Sequence, residues 1–299
     1  MVLEVYEAEA KTLIDPSAVL EQIGDGFQFT EGPVWHVGEQ CLFFSDIPAN
    51  TMYRYSMANG IEVYRQPSHF SNGLTLDGAG RVLACEHQRR RVSRAGAHGV
   101  ETIVDRYQGK RLNSPNDLIV ARDGSILFTD PPYGLLDGLG GPGEQELPFC
   151  GVYRIAPGAT EPTLLVDDFV TPNGLALTAD GRRLYVDDTV AGHIRAFDVQ
   201  DDWTITGGAV LVDMRSEEPG VPDGMKLNAD GVIYCTGPGG IWLCSPNGVV
   251  LGRIRMPEVA ANLAWGEADG SSLYITASTG VYRLRCRIGG PLAWSGNQA

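Results

Sequence analysis

Asn173-Gly174-Leu175-Ala176-Leu177 has five relatives elsewhere in the same chain, and their spacing decides the fold. They are Glu31-Gly32-Pro33-Val34-Trp35, Asn72-Gly73-Leu74-Thr75-Leu76, Asn116-Asp117-Leu118-Ile119-Val120, Asp223-Gly224-Met225-Lys226-Leu227 and Ala261-Asn262-Leu263-Ala264-Trp265. Their heads recur every 40 to 57 residues or so, close to the roughly 40–50 residues of a propeller blade. A second apolar run follows in each unit: Leu42-Phe43-Phe44, Val82-Leu83-Ala84, Ile126-Leu127-Phe128, Leu184-Tyr185-Val186, Ile233-Tyr234-Cys235 and Leu273-Tyr274-Ile275. Asp-Gly pairs at 77, 123, 180, 230 and 269 precede most of these runs, and Asp-Gly tolerates the positive φ that a tight hairpin demands. Six units imply six blades. The sixth ends near Arg285 without an outer strand, so the segment around Val19–Ile23 is expected to supply it and remove an open sheet edge. The expectation is an all-β, six-bladed β-propeller forming a single domain over residues 1–299, its ring closed by an N-terminal strand.

Composition agrees. The chain carries 38 Gly and 18 Pro among 299 residues without a low-complexity stretch, as a turn-rich β fold requires. A net charge of -14 argues against nucleic acid, whose phosphates need a Lys/Arg surface. No apolar run approaches the roughly 20 residues of a membrane helix, so no membrane role is expected. The N-terminus has no signal-peptide pattern. Cys41, Cys85, Cys150, Cys235, Cys244 and Cys286 are dispersed, and several lie in apolar strand patterns. Reduced thiols and a cytoplasmic location are the simplest reading.

Repeat equivalence then places side chains. The first strand of each blade lines the central channel, so its leading residue belongs to a ring at one mouth. These residues are Glu31, Asn72, Asn116, Asn173, Asp223 and Ala261, and five of the six carry a side-chain oxygen. Carboxylate and amide oxygens suit hard cations such as Ca²⁺ or Mg²⁺, and Glu31 with Asp223 matches the charge of one divalent ion. Turn preference explains one Asn-Gly pair, but not why such residues head the channel strand in blade after blade. The ends of the second strands reach the same face and bring Asp46, Glu86, His87, Asp130 and Asp188 there. The Gly-rich insertion from Pro131 to Phe149, including Tyr133, is a candidate lid over the mouth. No Gly-x-Ser-x-Gly elbow signals a serine hydrolase.

These motifs resemble those of the SMP-30/gluconolactonase family across nearly the whole chain. Glu31-Gly32-Pro33-Val34-Trp35, Ser114-Pro115-Asn116-Asp117, Thr171-Pro172-Asn173-Gly174-Leu175 and Val221-Pro222-Asp223-Gly224-Met225 carry the likeness in order, each at the head of a blade. Thr129-Asp130-Pro131-Pro132-Tyr133-Gly134 and Tyr274-Ile275-Thr276-Ala277-Ser278 are similar to the bacterial and fungal gluconolactonase branch. The resemblance implies a six-bladed propeller with one divalent cation, often Ca²⁺, with Mg²⁺, Mn²⁺ or Zn²⁺ as alternatives, and hydrolysis of a small sugar lactone. It makes Glu31, Asn173 and Asp223 the metal ligands, with Asn116 a fourth ligand or a substrate contact. Some animal members carry an arginine two residues before the position of Asn116; here Ser114 stands there, so their substrate preference does not transfer.

The expected chemistry is ring opening of a lactone such as glucono-1,5-lactone by water. Asp223 would serve as general base and Asn116 would orient the ester, with Asn72, His87, Asp130 and Tyr133 as further substrate contacts. Two other readings stay open on sequence grounds: a non-catalytic calcium-binding regulator or propeller scaffold, and a hydrolase of non-sugar lactones or aryl esters.

Overall fold

The computed structural model of the chain describes residues 2–293. Six antiparallel sheets follow one another in the chain, each starting with its innermost strand. Their first strands begin at Thr30, Ser71, Leu118, Pro172, Met225 and Ala260, and each abuts the next around a closed ring. The innermost strands are buried nearly throughout while the outermost are half exposed, as in Pro172–Leu177 against Ile205–Asp213. This gradient explains the sequence pattern: continuous apolar runs inside, alternation outside.

Closure follows the expected route. Leu20–Gly24 pairs antiparallel with Gly280–Arg285, setting Leu20 opposite Leu284 and Gln22 opposite Tyr282, and so completes the sixth blade. A further strand, Leu3–Val5, adds itself to the outer edge of the fifth blade against Val250–Arg255. The sequence pattern had not marked it. Between these two strands a four-residue helix, Ala10–Leu13, buries Ala10, Leu13 and Ile14 against blades 5 and 6. A separate two-stranded ribbon, Arg106–Tyr107 with Lys110–Arg111, links blades 2 and 3.

Blades adhere through apolar and aromatic faces. Trp35 of blade 1 stacks on Tyr274 of blade 6 at 5.2 Å between centroids, and Tyr234 of blade 5 meets Trp265 of blade 6 edge-on at 5.1 Å. Each such pair contributes about 0.5–1.5 kcal/mol beyond its buried area. Past Arg285 the chain turns under the far face. There the Ala229 amide donates to the Gly289 carbonyl, Gly290 lies against Trp265, Leu292 joins the apolar cluster of blades 6 and 1, and Ala293 joins that of blades 1 and 2. All six cysteines are buried and unpaired.

A chain beginning at residue 25 lacks both N-terminal strands and leaves the Gly280–Arg285 edge bare. Its melting temperature, followed by circular dichroism, is expected to fall by more than about 10 °C; an unchanged melt would show that blade 6 closes without its borrowed strand.

Candidate active site

The ring at the mouth is built by a repeated backbone device. In blades 1, 2, 4 and 5 the leading residue is followed by glycine, and each glycine packs on the neighbouring blade. A Cβ on Gly32 would stand 2.0 Å from the Asn72 carbonyl oxygen, on Gly73 2.6 Å from that of Asn116, and on Gly174 2.1 Å from that of Asp223. Gly73 also donates its amide to the Asn116 carbonyl at 2.8 Å. The glycines are therefore spacers that let neighbouring first strands touch.

Hydroxyls near the end of the second strand sew the same joints. Ser45 Oγ donates to the Asn72 carbonyl at 2.9 Å, Thr129 Oγ1 to that of Asn173 at 2.8 Å, and Thr236 Oγ1 to that of Ala261 at 3.1 Å. The following residue, acidic in blades 1 to 4, turns back in three of them to hold the loop that carries the ring residue. Asp46 accepts from the amides of Gln28 and Phe29, Asp130 from Asn113, and Asp188 from Val170 and Thr171. Glu86 is instead fully buried among Arg65, Arg91 and Ser93.

This arrangement defines the surroundings of two of the expected substrate contacts. Asp130 is fully buried beneath the Asn113–Asn116 loop and accepts the Asn113 amide, so it helps to position that loop. Burial pushes its carboxyl up to about 7, against the opposing pull of the Asn113 and Ser114 amides. His87 is only 1 % exposed. Its Nδ1 lies 2.9 Å from the Leu139 carbonyl and its Nε2 3.4 Å from Asn72 Nδ2. A carbonyl only accepts, so Nδ1 carries the proton and Nε2 takes a hydrogen bond from the Asn72 amide. Burial lowers the ring to about 4 and keeps it neutral, so His87 supports Asn72 from behind.

The insertion at 131–149 is pinned along its length. Ser114 Oγ donates to the Pro131 carbonyl at 2.6 Å and accepts from the Gly134 amide at 2.8 Å. Arg90 holds the Glu144 carbonyl, Asn113 Nδ2 holds that of Phe149, and Leu147 is buried. Ser114 is thus a fully buried stitch with Gly134 against it. The segment is anchored at several points beside the mouth, with residues 136–138 and 142–146 exposed. Tyr133 stands on it with its hydroxyl beside Thr171 and Thr189 and within the field of Asp223.

Electrostatics dominate what remains. Glu31 is 1 % exposed, whereas Asp223 keeps partial exposure, and the charge of Glu31 acts on Asp223. Burial, then the Asp117 charge, pushes Glu31 up to about 7; burial, then Glu31, pushes Asp223 well above the usual carboxylate range. Asp187, in the slot that holds Thr129 or Thr236 in other blades, is raised by burial and by Asp117. The positive charge at this cluster is the Lys226 ammonium, 3.9 Å from Asp117. Asn173 Nδ2 is committed to Thr189 Oγ1 at 3.0 Å, and the Oδ1 atoms of both Asn173 and Asn72 are buried without a partner. Paired carboxylates short of positive charge, beside amide oxygens lacking donors, fit a hard divalent cation. Among the described residues no group of three or more His, Cys, Asp or Glu forms a ready cage, so the fit rests on a mixed set of carboxylates and amides.

The structure adds residues that the ring argument did not name: Asp117, Asp187, Lys226 and Asn262. The signal for two of them lay in the repeat, because Asp117 and Asn262 occupy the slot that is glycine in the other four blades. Two surface hollows lie away from the mouth, one of about 660 Å³ around Glu21, Glu267 and Arg283 and one of about 810 Å³ beside Leu3–Tyr6. Neither gathers unpartnered polar atoms as the ring does.

Residues 29–279 match the family described as the SMP-30/gluconolactonase/LRE-like region. The chain belongs to this family. Among its relatives is a gluconolactonase of Zymomonas mobilis, 32 % identical over 309 aligned residues that cover 95 % of this chain and 86 % of that one. A solved gluconolactonase from Xanthomonas campestris is 32 % identical and superposes with a TM-score of 0.89 over 96 % of this chain and 95 % of that one. The calcium-binding regucalcin of Agrobacterium tumefaciens shares the fold at 16 % identity, with a TM-score of 0.78 over 94 % of this chain and 98 % of that one.

Asp130→Asn tests the reading of Asp130 as a buried support. A carboxyl whose folded value is raised binds its proton more tightly in the native state, so the wild type loses stability as pH climbs from about 4 to about 7. The neutral variant escapes that loss. The melting temperature of the variant minus that of the wild type should therefore rise between pH 4 and 7 and level off above; a flat difference would contradict the assignment.

Proposed function

We propose that this chain is a lactone hydrolase of the gluconolactonase type, opening a small sugar lactone such as glucono-1,5-lactone with the help of one divalent cation, Ca²⁺ first among candidates. The near full-length likeness to the Zymomonas mobilis gluconolactonase carries the reading. The charge-deficient ring of oxygens supports the metal dependence.

Glu31, Asn173 and Asp223 would hold the ion, with Asn116 beside them. When bound, such an ion supplies Lewis-acid polarisation of the ester carbonyl. The chain's own groups do the rest. Asp223, partly exposed and with its proton affinity raised by burial and by Glu31, accepts a proton from the attacking water. Water oxygen bonds to the carbonyl carbon as negative charge gathers on the carbonyl oxygen, to which the Asn116 amide donates. The ring C–O bond then breaks, and the leaving alkoxide recovers the proton from Asp223, giving the open hydroxy acid. Asn72, braced by His87, and Tyr133 would meet the ester and the sugar hydroxyls. The buried thiols suit a reducing compartment such as the cytoplasm.

Acid release from glucono-1,5-lactone, followed with a pH indicator above the spontaneous background, tests this directly. Activity should vanish on chelation and return with one divalent ion. Glu31→Gln and Asp223→Asn should each lower kcat by at least about 10²-fold while leaving the circular dichroism spectrum unchanged. Normal turnover by a folded, metal-free Asp223→Asn protein would sink the mechanism. Calcium binding without turnover of any sugar or non-sugar lactone would favour a regulator instead.

A further inference from the structure

The glycine slot of the ring is filled in two blades only, and those blades lie opposite each other. In a six-membered ring, blades 3 and 6 face across the axis. Asp117 and Asn262 stand one residue after the leading position there, where Gly32, Gly73, Gly174 and Gly224 stand in the rest. Both adopt the same local geometry: Asp117 Oδ1 accepts the Leu118 amide at 2.8 Å, and Asn262 Oδ1 accepts the Leu263 amide at 2.8 Å. That shared bond turns the second side-chain atom of each inward, and the two meet. Asn262 Nδ2 lies 3.4 Å from Asp117 Oδ2 and 3.0 Å from Glu31 Oε2.

The neighbouring glycines make room for this bridge. A Cβ on Gly224 would stand 2.2 Å from the Asn262 amide group, and one on Gly73 2.6 Å from Asp117 Oδ1. Lys226 completes the assembly, donating to the Met225 carbonyl at 3.0 Å with its ammonium turned toward Asp117. A cross-channel tie thus runs from blade 3 to blade 6 and on to Glu31 of blade 1, and every group in it is buried or half-buried.

We infer that Asn262 is a positioning residue: through its bond to Glu31 Oε2, and anchored from across the axis by Asp117, it fixes the Glu31 carboxylate so that the other oxygen faces the ring. The inference rests on the proposed cation site and says which side chain prepares it. Glu31 also takes the Gly32 amide on Oε2 at 2.5 Å, so this oxygen is engaged twice and Oε1 is left for a ligand. Asn262 is buried and spends its side chain on Glu31, Asp117 and the Leu263 amide, so it acts on the reaction through Glu31. Outer supports of this kind are worth about ten- to a hundredfold in metal affinity.

Asn262→Gly is the natural test, because glycine already serves at this slot in four blades. Titration calorimetry with Ca²⁺ alone, together with thermal melts in EDTA, separates positioning from folding. The expected result is a Kd raised about tenfold or more with the metal-free melting temperature held within a few degrees. An unchanged Kd in a variant that folds would overturn the inference. A metal-free protein that no longer melts cooperatively would point instead to a purely structural bridge; Asn262→Ser, which keeps a short donor, must then show the weakened Kd with a normal melt or the inference fails. Should the wild type bind no Ca²⁺, Mg²⁺, Mn²⁺ or Zn²⁺, the cation site itself is wrong and this inference falls with it, an outcome distinct from an Asn262 variant that binds as the wild type does.

Discussion

The contact between the backbones of adjacent first strands is the constraint on which the remainder of the molecule hangs. Gly32 against Asn72, Gly73 against Asn116 and Gly174 against Asp223 are approaches too close for any side chain. They set the bore of the channel, and the bore decides which side chains converge. With the strands this near, residues from blades 1, 3, 5 and 6 share one electrostatic environment: the Asp117 charge acts on Glu31 and Asp223, and Asn262 reaches Glu31. A wider ring would leave each carboxylate hydrated and ordinary. Fold and chemistry are joined at that glycine.

The carboxylates at the ends of second strands do a different task from those at the heads of first strands, although both look alike as text. Asp46 and Asp188 spend both oxygens on backbone amides and hold loops, and Asp130 spends one, on the Asn113 amide. Glu31, with the Gly32 and Asn262 N–H groups on one oxygen only, and Asp223 stay short of positive charge. Polar groups bonded to the backbone confer shape, whereas polar groups left wanting a partner mark a place for something else to bind. His87 belongs with the first class.

Much of this was readable in the chain itself. The six heads, the Asp-Gly turns and the borrowed strand near Leu20 all follow from period and turn chemistry, because a propeller repeats one local solution six times. What escaped depended on deviations from the repeat. Leu3–Val5 is too short to carry a pattern, yet it finds an edge on blade 5. His87 and Asp130 sit at the face the repeat assigned, but strand position alone cannot tell whether a side chain points to the mouth or to the loop behind it. Asp117 and Asn262 were visible as departures from glycine; their meeting across the axis needed the ring to be closed in space. Lys226 looked like one residue of an alternating strand.

Blade 6 is made from both ends of the chain, since Leu20–Gly24 pairs with Gly280–Arg285. On a ribosome working at about 5–20 residues per second, the partner of that early strand emerges tens of seconds after it. Throughout synthesis the first strand waits with its hydrogen-bonding edge open, and five finished blades form an arc with two exposed faces. The last strand to appear therefore completes the sixth blade and with it the ring. Its late arrival makes closure of the ring wait on the pairing of two strands from opposite ends of the propeller.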